Sequence, residues 1–203
     1  MMTIMDAIKL LHSRNSAPKL REPAPRGEVL ADMLKAALRA PDHSWLRPWR
    51  FLTIEGEARS CLGELFVTSA AQQRAVANEQ PLTDVESNKL ANKALRAPLI
   101  IVVIAPIKEH PKVPAVEQII SAGCAAQSIL LAAHAHGFAG VWRTGANAYD
   151  ENVKQGLGLT KNEQLVGFLY LGTIDGHYKP LRELPIEDFC QPWDAVTTPR
   201  DQP

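Results

Sequence analysis

Residues 115–136 read Ala-Val-Glu-Gln-Ile-Ile-Ser-Ala-Gly-Cys-Ala-Ala-Gln-Ser-Ile-Leu-Leu-Ala-Ala-His-Ala-His, and Gly137-Phe138-Ala139-Gly140-Val141-Trp142-Arg143-Thr144 follows. Nothing breaks a helix before Gly137, so one helix of roughly 30 Å is expected, with Gly137 as its C-terminal stop. The main apolar stripe is Val116, Ile119, Ile120, Gly123, Gln127, Leu130, Leu131 and His134, while Ala122, Ala125, Ala126, Ala132, Ala133 and Ala135 occupy the other faces. A helix so small and neutral all round is expected to be buried on most sides. Ala139–Trp142 then reads as a short strand. No Lys, Arg, Asp or Glu occurs between Gln118 and Trp142, a run long enough to span a bilayer. Its polar Gln118, Ser121, Gln127, Ser128, His134 and His136, with Glu117 and Arg143 close at its ends, favour a core helix instead.

Outward from that helix, Leu99–Ala105 is a continuous apolar run after Pro98, the pattern of a fully buried strand. Gln164–Gly172 reads as a second buried strand, and Arg50–Glu55 as a third, ended by Gly56. Residues 5–12 form a short amphipathic helix, broken by Ser13-Arg14-Asn15-Ser16-Ala17-Pro18. Pro18, Pro23 and Pro25 keep residues 17–26 extended. A helix over 27–39 must stop near Ala40, because Pro41 follows. Residues 57–67 and 151–157 are helical. Residues 68–96 are polar and helical without a strong apolar face, and read as a mobile segment. The tail from 176 to 203 has prolines at 180, 185, 192, 199 and 203, and gains stability only by lying across another surface. The order gives an α+β layer fold, with the long helix packed on a central sheet.

The 203 residues suit one domain, and 46% hydrophobic with 22% charged residues fits a soluble globule. Lys+Arg and Asp+Glu balance at 22 each, which argues against a nucleic-acid binder but leaves room for one local anion site. Cys61, Cys124 and Cys190 show neither CxxC nor zinc spacing. So sparse and odd a set suits a reducing, cytoplasmic setting. Asp6 and Lys9 interrupt any signal-like apolar run at the N-terminus.

Arg143 is the sharpest candidate for chemistry. It is the only formal charge between Glu117 and Asp150, and left unpaired when buried it would cost about 3–5 kcal/mol. It therefore meets a ligand anion or ring oxygen, or else snorkels to water at a strand end. Arg14-Asn15-Ser16 joins one cation to two short hydrogen-bonding side chains, which suits a phosphate but equally punctuates a helix end. Arg39-Ala40-Pro41-Asp42-His43, followed by Trp45, Arg47 and Trp49, forms an aromatic and basic loop of the kind that clamps flat anions. Dipole complementation at the helix end is its plainer role. His134 and His136 lie at i and i+2 and face apart, so they do not chelate one metal.

Several runs, in order, resemble the nitroreductase family over about residues 5–175. They are Met5-Asp6-Ala7-Ile8 with Ser13-Arg14-Asn15-Ser16, Arg39-Ala40-Pro41-Asp42-His43 with Arg47-Pro48-Trp49-Arg50-Phe51, Glu117 through Gln127, Gly137 through Thr144, and Val166 through Thr173. The match is best to a short branch of that family. The resemblance implies a central, mostly antiparallel sheet flanked by helices, a homodimer, and a C-terminal tail reaching the partner subunit. It implies FMN as cofactor, held by Arg14, Asn15 and Ser16 at the phosphate and ribityl chain, and by Trp142, Arg143 and Thr144 at the isoalloxazine. Arg39 and His43 approach FMN from the other subunit. Ala132, Ala133, His134, Ala135, His136 and Gly137 correspond to a stretch assigned to NAD(P). The implied activity is a ping-pong reduction of nitroaromatics, quinones or other conjugated acceptors by NAD(P)H, and it explains the lack of an acid–base motif, since the cofactor carries the chemistry. Two departures stand out: Asn15 replaces the second Arg of the R-R-S motif, and Trp45 or Leu46 and Arg47 replace the Asn and Gln of the family's loop. They leave room for a non-catalytic or specialised flavin-binding protein on the same fold.

Overall fold

A computed structural model of the chain describes residues 6–193. At its centre is β3 (Leu99–Pro106), in which every residue from Leu99 to Ala105 is buried. It pairs antiparallel with β2 (Arg50–Glu55) on one side and β5 (Glu163–Ile174) on the other. Two strands share the far edge of β5, again antiparallel: β4 (Ala139–Arg143) along Phe168–Gly172, and short β1 (Leu20–Arg21) at Thr173 and Ile174. The expected α+β architecture around an antiparallel sheet is what the chain adopts.

Alternation along β3 builds two cores. Leu99, Ile101, Val103 and Ala105 face α2 (Gly27–Ala37) and α5 (Ala115–Ala135). Ile100, Val102 and Ile104 face α3 (Ala58–Val76), α6 (Ala146–Tyr149) and α7 (Glu151–Gly156). Helices cover both faces, so the strand must be apolar at every position. The remaining helices are peripheral. α1 (Ala7–Ser13) is capped by the Asp6 carboxylate, and α4 (Asp84–Ala91) opens with a Thr83–Glu86 capping box.

Two expectations need correction. The main buried face of α5 is formed by alanines, not by the stripe of larger residues: Ala122, Ala125, Ala126 and Ala133 are at most 1% exposed. From the larger-residue stripe, Val116 and Ile120 stand outside at 58% and 60% exposure. Methyl side chains let the helix backbone approach the sheet closely, and interior packing at organic-crystal density rewards that approach. The second correction concerns residue 67, where no break occurs. α3 is one helix of 19 residues and runs through buried Ser69, whose hydroxyl donates to Asp150 at 2.5 Å. By length and composition α5 could cross a membrane, yet its alanine side is packed on the sheet.

The sheet carries one irregularity. Val103 opposes Gly167 and Ile104 opposes Leu165, so Val166 is an extra residue, a bulge. Trp142 lies over it, its Nε1 donating to the Val166 carbonyl at 3.4 Å. A Cβ on Gly167 would overlap the indole Nε1 and Cδ1. Gly167→Ala is therefore expected to destabilise by about 1–3 kcal/mol, the range for overpacking, and to alter the near-UV circular dichroism of Trp142. An unchanged denaturation midpoint would show that the indole has room to move.

One ion pair ties β2 to β5. The Glu163 carboxylate accepts from Arg50 Nε at 2.5 Å, Arg50 Nη2 at 2.8 Å and the Thr160 N–H at 2.9 Å. The Arg50 hydrogen bonds, opposed by burial, draw its pKa from 4.5 to about 2. A depressed carboxylate stabilises the fold above its unfolded pKa, and that contribution is lost as pH falls through the folded value. Melting temperature measured against pH should thus fall between about pH 4.5 and 2, and Glu163→Gln should flatten that limb. Identical acid profiles for the two proteins would remove this role.

Candidate functional site

The segment after α1 is delivered to the junction of α5 and β4. Arg14 caps α1, Ser16 bridges Gly140, and the Ala17 N–H donates to the Gly140 carbonyl at 3.2 Å. Ser13 Oγ lies 3.0 Å from His134 Nε2, at the end of α5. Burial, and then the Arg14 charge, hold the His134 imidazole below its ordinary value. Asn15 is engaged by the protein at both ends of its amide. Its Oδ1 accepts from the Ser16 N–H at 2.8 Å, and its Nδ2 donates to the Lys179 carbonyl at 2.6 Å, pinning the start of the tail. Arg14 also acts on Tyr178, whose hydroxyl burial raises and the guanidinium opposes. Among the described residues Arg14 takes part in no ion pair.

Of residues 132–137, Ala133 is 1% exposed and sits in the core. His136 Nε2 meets Asp32 Oδ2 at 2.7 Å, tying α5 to α2. Gly137 has φ +79, the left-handed backbone that lets the chain turn into β4.

At the far end of β4 the strand alternates. Trp142 points to the α5 side, over Gly123. Arg143 points to the α3 side, its guanidinium 5.7 Å from the Tyr170 ring centroid. Its Nε is buried and has no hydrogen-bond partner among the described residues. Such an orphan costs about 1–3 kcal/mol, and more for a charged group. Arg143 and Thr144 line a cavity of about 350 Å³ that Lys93 and Arg96 also enter. Sequence reasoning missed these last two. Both fall in the polar stretch before Pro98, and only their closeness to a chargeless strand end hinted at a role.

Arg39 and His43 belong to a third place. Arg39, Trp45, Arg47 and Trp49 line a recess of about 430 Å³, and His43 Nδ1 meets Glu117 Oε2 at 2.8 Å. Ser44, Trp45 and Arg47 all have φ between +47 and +62, a costly conformation for such residues. The Asp42 carboxylate holds the loop by accepting from the Arg47 N–H at 2.8 Å, and Lys108 Nζ does so by donating to the Leu46 carbonyl at 2.7 Å. Trp45 is 81% exposed, and Arg39 and Arg47 are exposed beside it, while Trp49 packs against the core.

Within one subunit the predicted residues thus form three groups. Arg14–Ser16 and Trp142–Thr144 lie along one strand edge, because Ser16 is level with Gly140 and Arg143 is three residues on, roughly 10 Å at ~3.3 Å per residue. Arg39 and His43 stand apart from both, on an outward-facing loop. Among the described residues no cluster of His, Cys, Asp or Glu could hold a metal.

Comparison with known proteins shows relatives in sequence and in fold. The model of the "Nitroreductase family" matches residues 12–173. A protein of Escherichia coli (strain K12) named "Putative NAD(P)H nitroreductase YdjA" is 46% identical over 169 residues, 83% of this chain and 88% of that protein. The crystal structure of a nitroreductase-like family protein from Bacillus cereus superposes with a TM-score of 0.79 at 25% identity, covering 94% of this chain and 97% of that one. The FMN-dependent nitroreductase NfnB from Mycobacterium smegmatis, solved in complex with NADPH, shares the fold with a TM-score of 0.71 at 20% identity, over 91% and 96% of the two chains. The matched span holds Arg14–Ser16, the loop of Arg39 and His43, α5 and β4, and the chain belongs to the nitroreductase family.

Proposed function

We propose that this chain is an FMN-dependent oxidoreductase that uses NAD(P)H to reduce nitroaromatics, quinones or related conjugated acceptors, as a cytoplasmic homodimer. The observation that carries the reading is the buried Nε of Arg143, unpartnered among the described residues, set along one strand edge from Arg14, which likewise has no ion pair among them. A ligand with a phosphate at one end and an electron-rich ring at the other fits that spacing. When bound, FMN supplies a two-electron store, so that NAD(P)H and an acceptor can react in turn in a ping-pong order.

The protein's own part is binding and orientation. Arg14 and the Ser16 hydroxyl take the phosphate end. Asn15 shapes that end by fixing the Ser16 and Lys179 main chains and brings no charge of its own. Trp142, Arg143 and Thr144 border the ring end, with Trp142 held by Val166. Arg39 and His43 reach across from the partner subunit on their constrained loop. The donor lies against the surface of Ala132, His134, Ala135, His136 and Gly137, with Ala133 as support beneath.

Unburied apolar side chains support the dimer: Ile8 and Leu11 on α1, Val116 and Ile120 on α5, and Ile186, Phe189 and Trp193 in the tail are 53–86% exposed. In a single chain such surface is left in water, and a second copy would give these side chains a surface to pack on.

The absorption spectrum of the purified protein, with the released cofactor identified, tests the reading. A flavin band bleached by NADH or NADPH and restored by menadione or a nitrobenzene is expected. Protein that is colourless and takes up no added FMN would end it. Because Asn15 stands where the family motif has its second Arg, that motif brings one cation to the phosphate end instead of two. That favours, as a second reading, a flavin binder without turnover, which would keep the flavin band but oxidise no NAD(P)H with either acceptor.

A further inference from the structure

We infer that Lys93, Arg96 and Arg143 form a cationic well for the carboxylate of a small aromatic molecule, which makes anionic nitroarenes or quinones the preferred acceptors. The reduction of such a molecule rests on the proposed function; its binding does not.

Lys93 and Arg96 enter the cavity from the turn before β3, and Arg143 enters from the end of β4. Among the described residues none of the three takes part in an ion pair. Asp175 shares an adjoining recess with Arg96 and Arg143 but pairs with neither. Burial, and then the charges of Arg96 and Lys89, hold the Lys93 amine below its ordinary value, and among the described residues no carboxylate pairs with the three cations. The Arg143 Nε–H is buried and unanswered. The ring end of the proposed cofactor answers that donor, so an anion in the well would be held by Lys93 and Arg96 and would relieve their repulsion.

The walls define the rest of the molecule. Phe66 and Phe168 meet edge to face at 5.7 Å and, with Tyr170, floor the cavity. Its volume of about 350 Å³ lies at the small end of ligand sites. It suits one ring bearing a carboxylate and is too small for a dinucleotide. Cations over an aromatic floor select a flat anion, because the ring faces hold the plane while the guanidinium groups hold the charge.

The test is isothermal titration of the protein as purified, at low salt, with 4-nitrobenzoate and its neutral analogue 4-nitrobenzamide. The acid is expected to bind at least ~10-fold more tightly, the factor one charge-assisted hydrogen bond supplies. The double variant Lys93→Met, Arg96→Met is expected to bring the ratio below ~2-fold, with a melting curve showing that the variant is folded. Equal affinities in the parent protein, or a preference that survives in the folded variant, would overturn the proposal. So would displacement of 4-nitrobenzoate by adenosine 2′,5′-bisphosphate at lower concentration, which would assign the well to the donor's phosphate. The visible spectrum of the same samples separates the two readings. Colourless protein that keeps the preference for the acid removes the flavin function and leaves the well; yellow protein without the preference does the reverse.

Discussion

Arg14→Ala is expected to weaken FMN binding by the apoprotein about 10- to 100-fold, the range for charge-assisted hydrogen bonds worth about 1.5–3 kcal/mol. The argument is electrostatic and local. The Arg14 charge acts on both His134 and Tyr178, and among the described residues it has no carboxylate partner, which leaves it for a phosphate. His134 beside it is held toward its neutral form, and Asn15 carries no charge, which leaves Lys179, tied to Asn15 through its carbonyl, as the other cation at that end. Titration of apoprotein with FMN, followed by quenching of flavin fluorescence, reads the change. Arg14→Lys should recover part of the affinity but not the forked hydrogen bonding. The Arg14 contribution should also shrink as salt is raised. Equal affinities for FMN in the parent protein and Arg14→Ala would move the phosphate elsewhere.

Asp150→Ala is expected to cost about 3 kcal/mol of stability, the sum of a lost helix cap and a stranded buried donor. For a chain of this size that corresponds to a melting temperature lower by roughly 6–12 °C. Asp150 is 8% exposed, and its carboxylate serves four donors. Oδ1 accepts the N–H groups of Asn152 at 2.8 Å and Val153 at 3.1 Å, capping α7. Oδ2 accepts from Ser69 Oγ at 2.5 Å and from the Gln73 amide, both on α3. One side chain therefore starts a helix and locks it to another. Asp150→Asn should be milder, because the amide oxygen can keep the cap. Both are read by denaturant and thermal unfolding. A parent-like midpoint for Asp150→Ala would mean that water replaces the carboxylate at all four donors.

The strands and the long helix were readable because their signals are local. β2 spans Arg50–Glu55 as expected from alternation alone, and β3 follows its apolar run. α5 ends where Gly137 takes the left-handed conformation. The two-residue β1 escaped notice because its pairing with Thr173 and Ile174 has no period of its own. α6, one turn of four residues, is too short to show one. The inward turn of the alanines in α5 was misread because hydrophobicity ranks leucine above alanine, while close packing on a flat sheet rewards the smaller group.

Residue order by itself determined the fold class, the three strands with strong periodicity, the buried helix, and Arg143 as a lone charge in a neutral stretch, since each depends on neighbours within a few positions. Only the tertiary structure decided that Lys93 and Arg96 share a cavity with Arg143, that Asp150 meets Ser69 across 81 positions, and that Asn15 is tied to Lys179 across 164. Such pairings form when the sheet closes and the helices settle on it, and no local period or spacing records which distant side chains will then face one another.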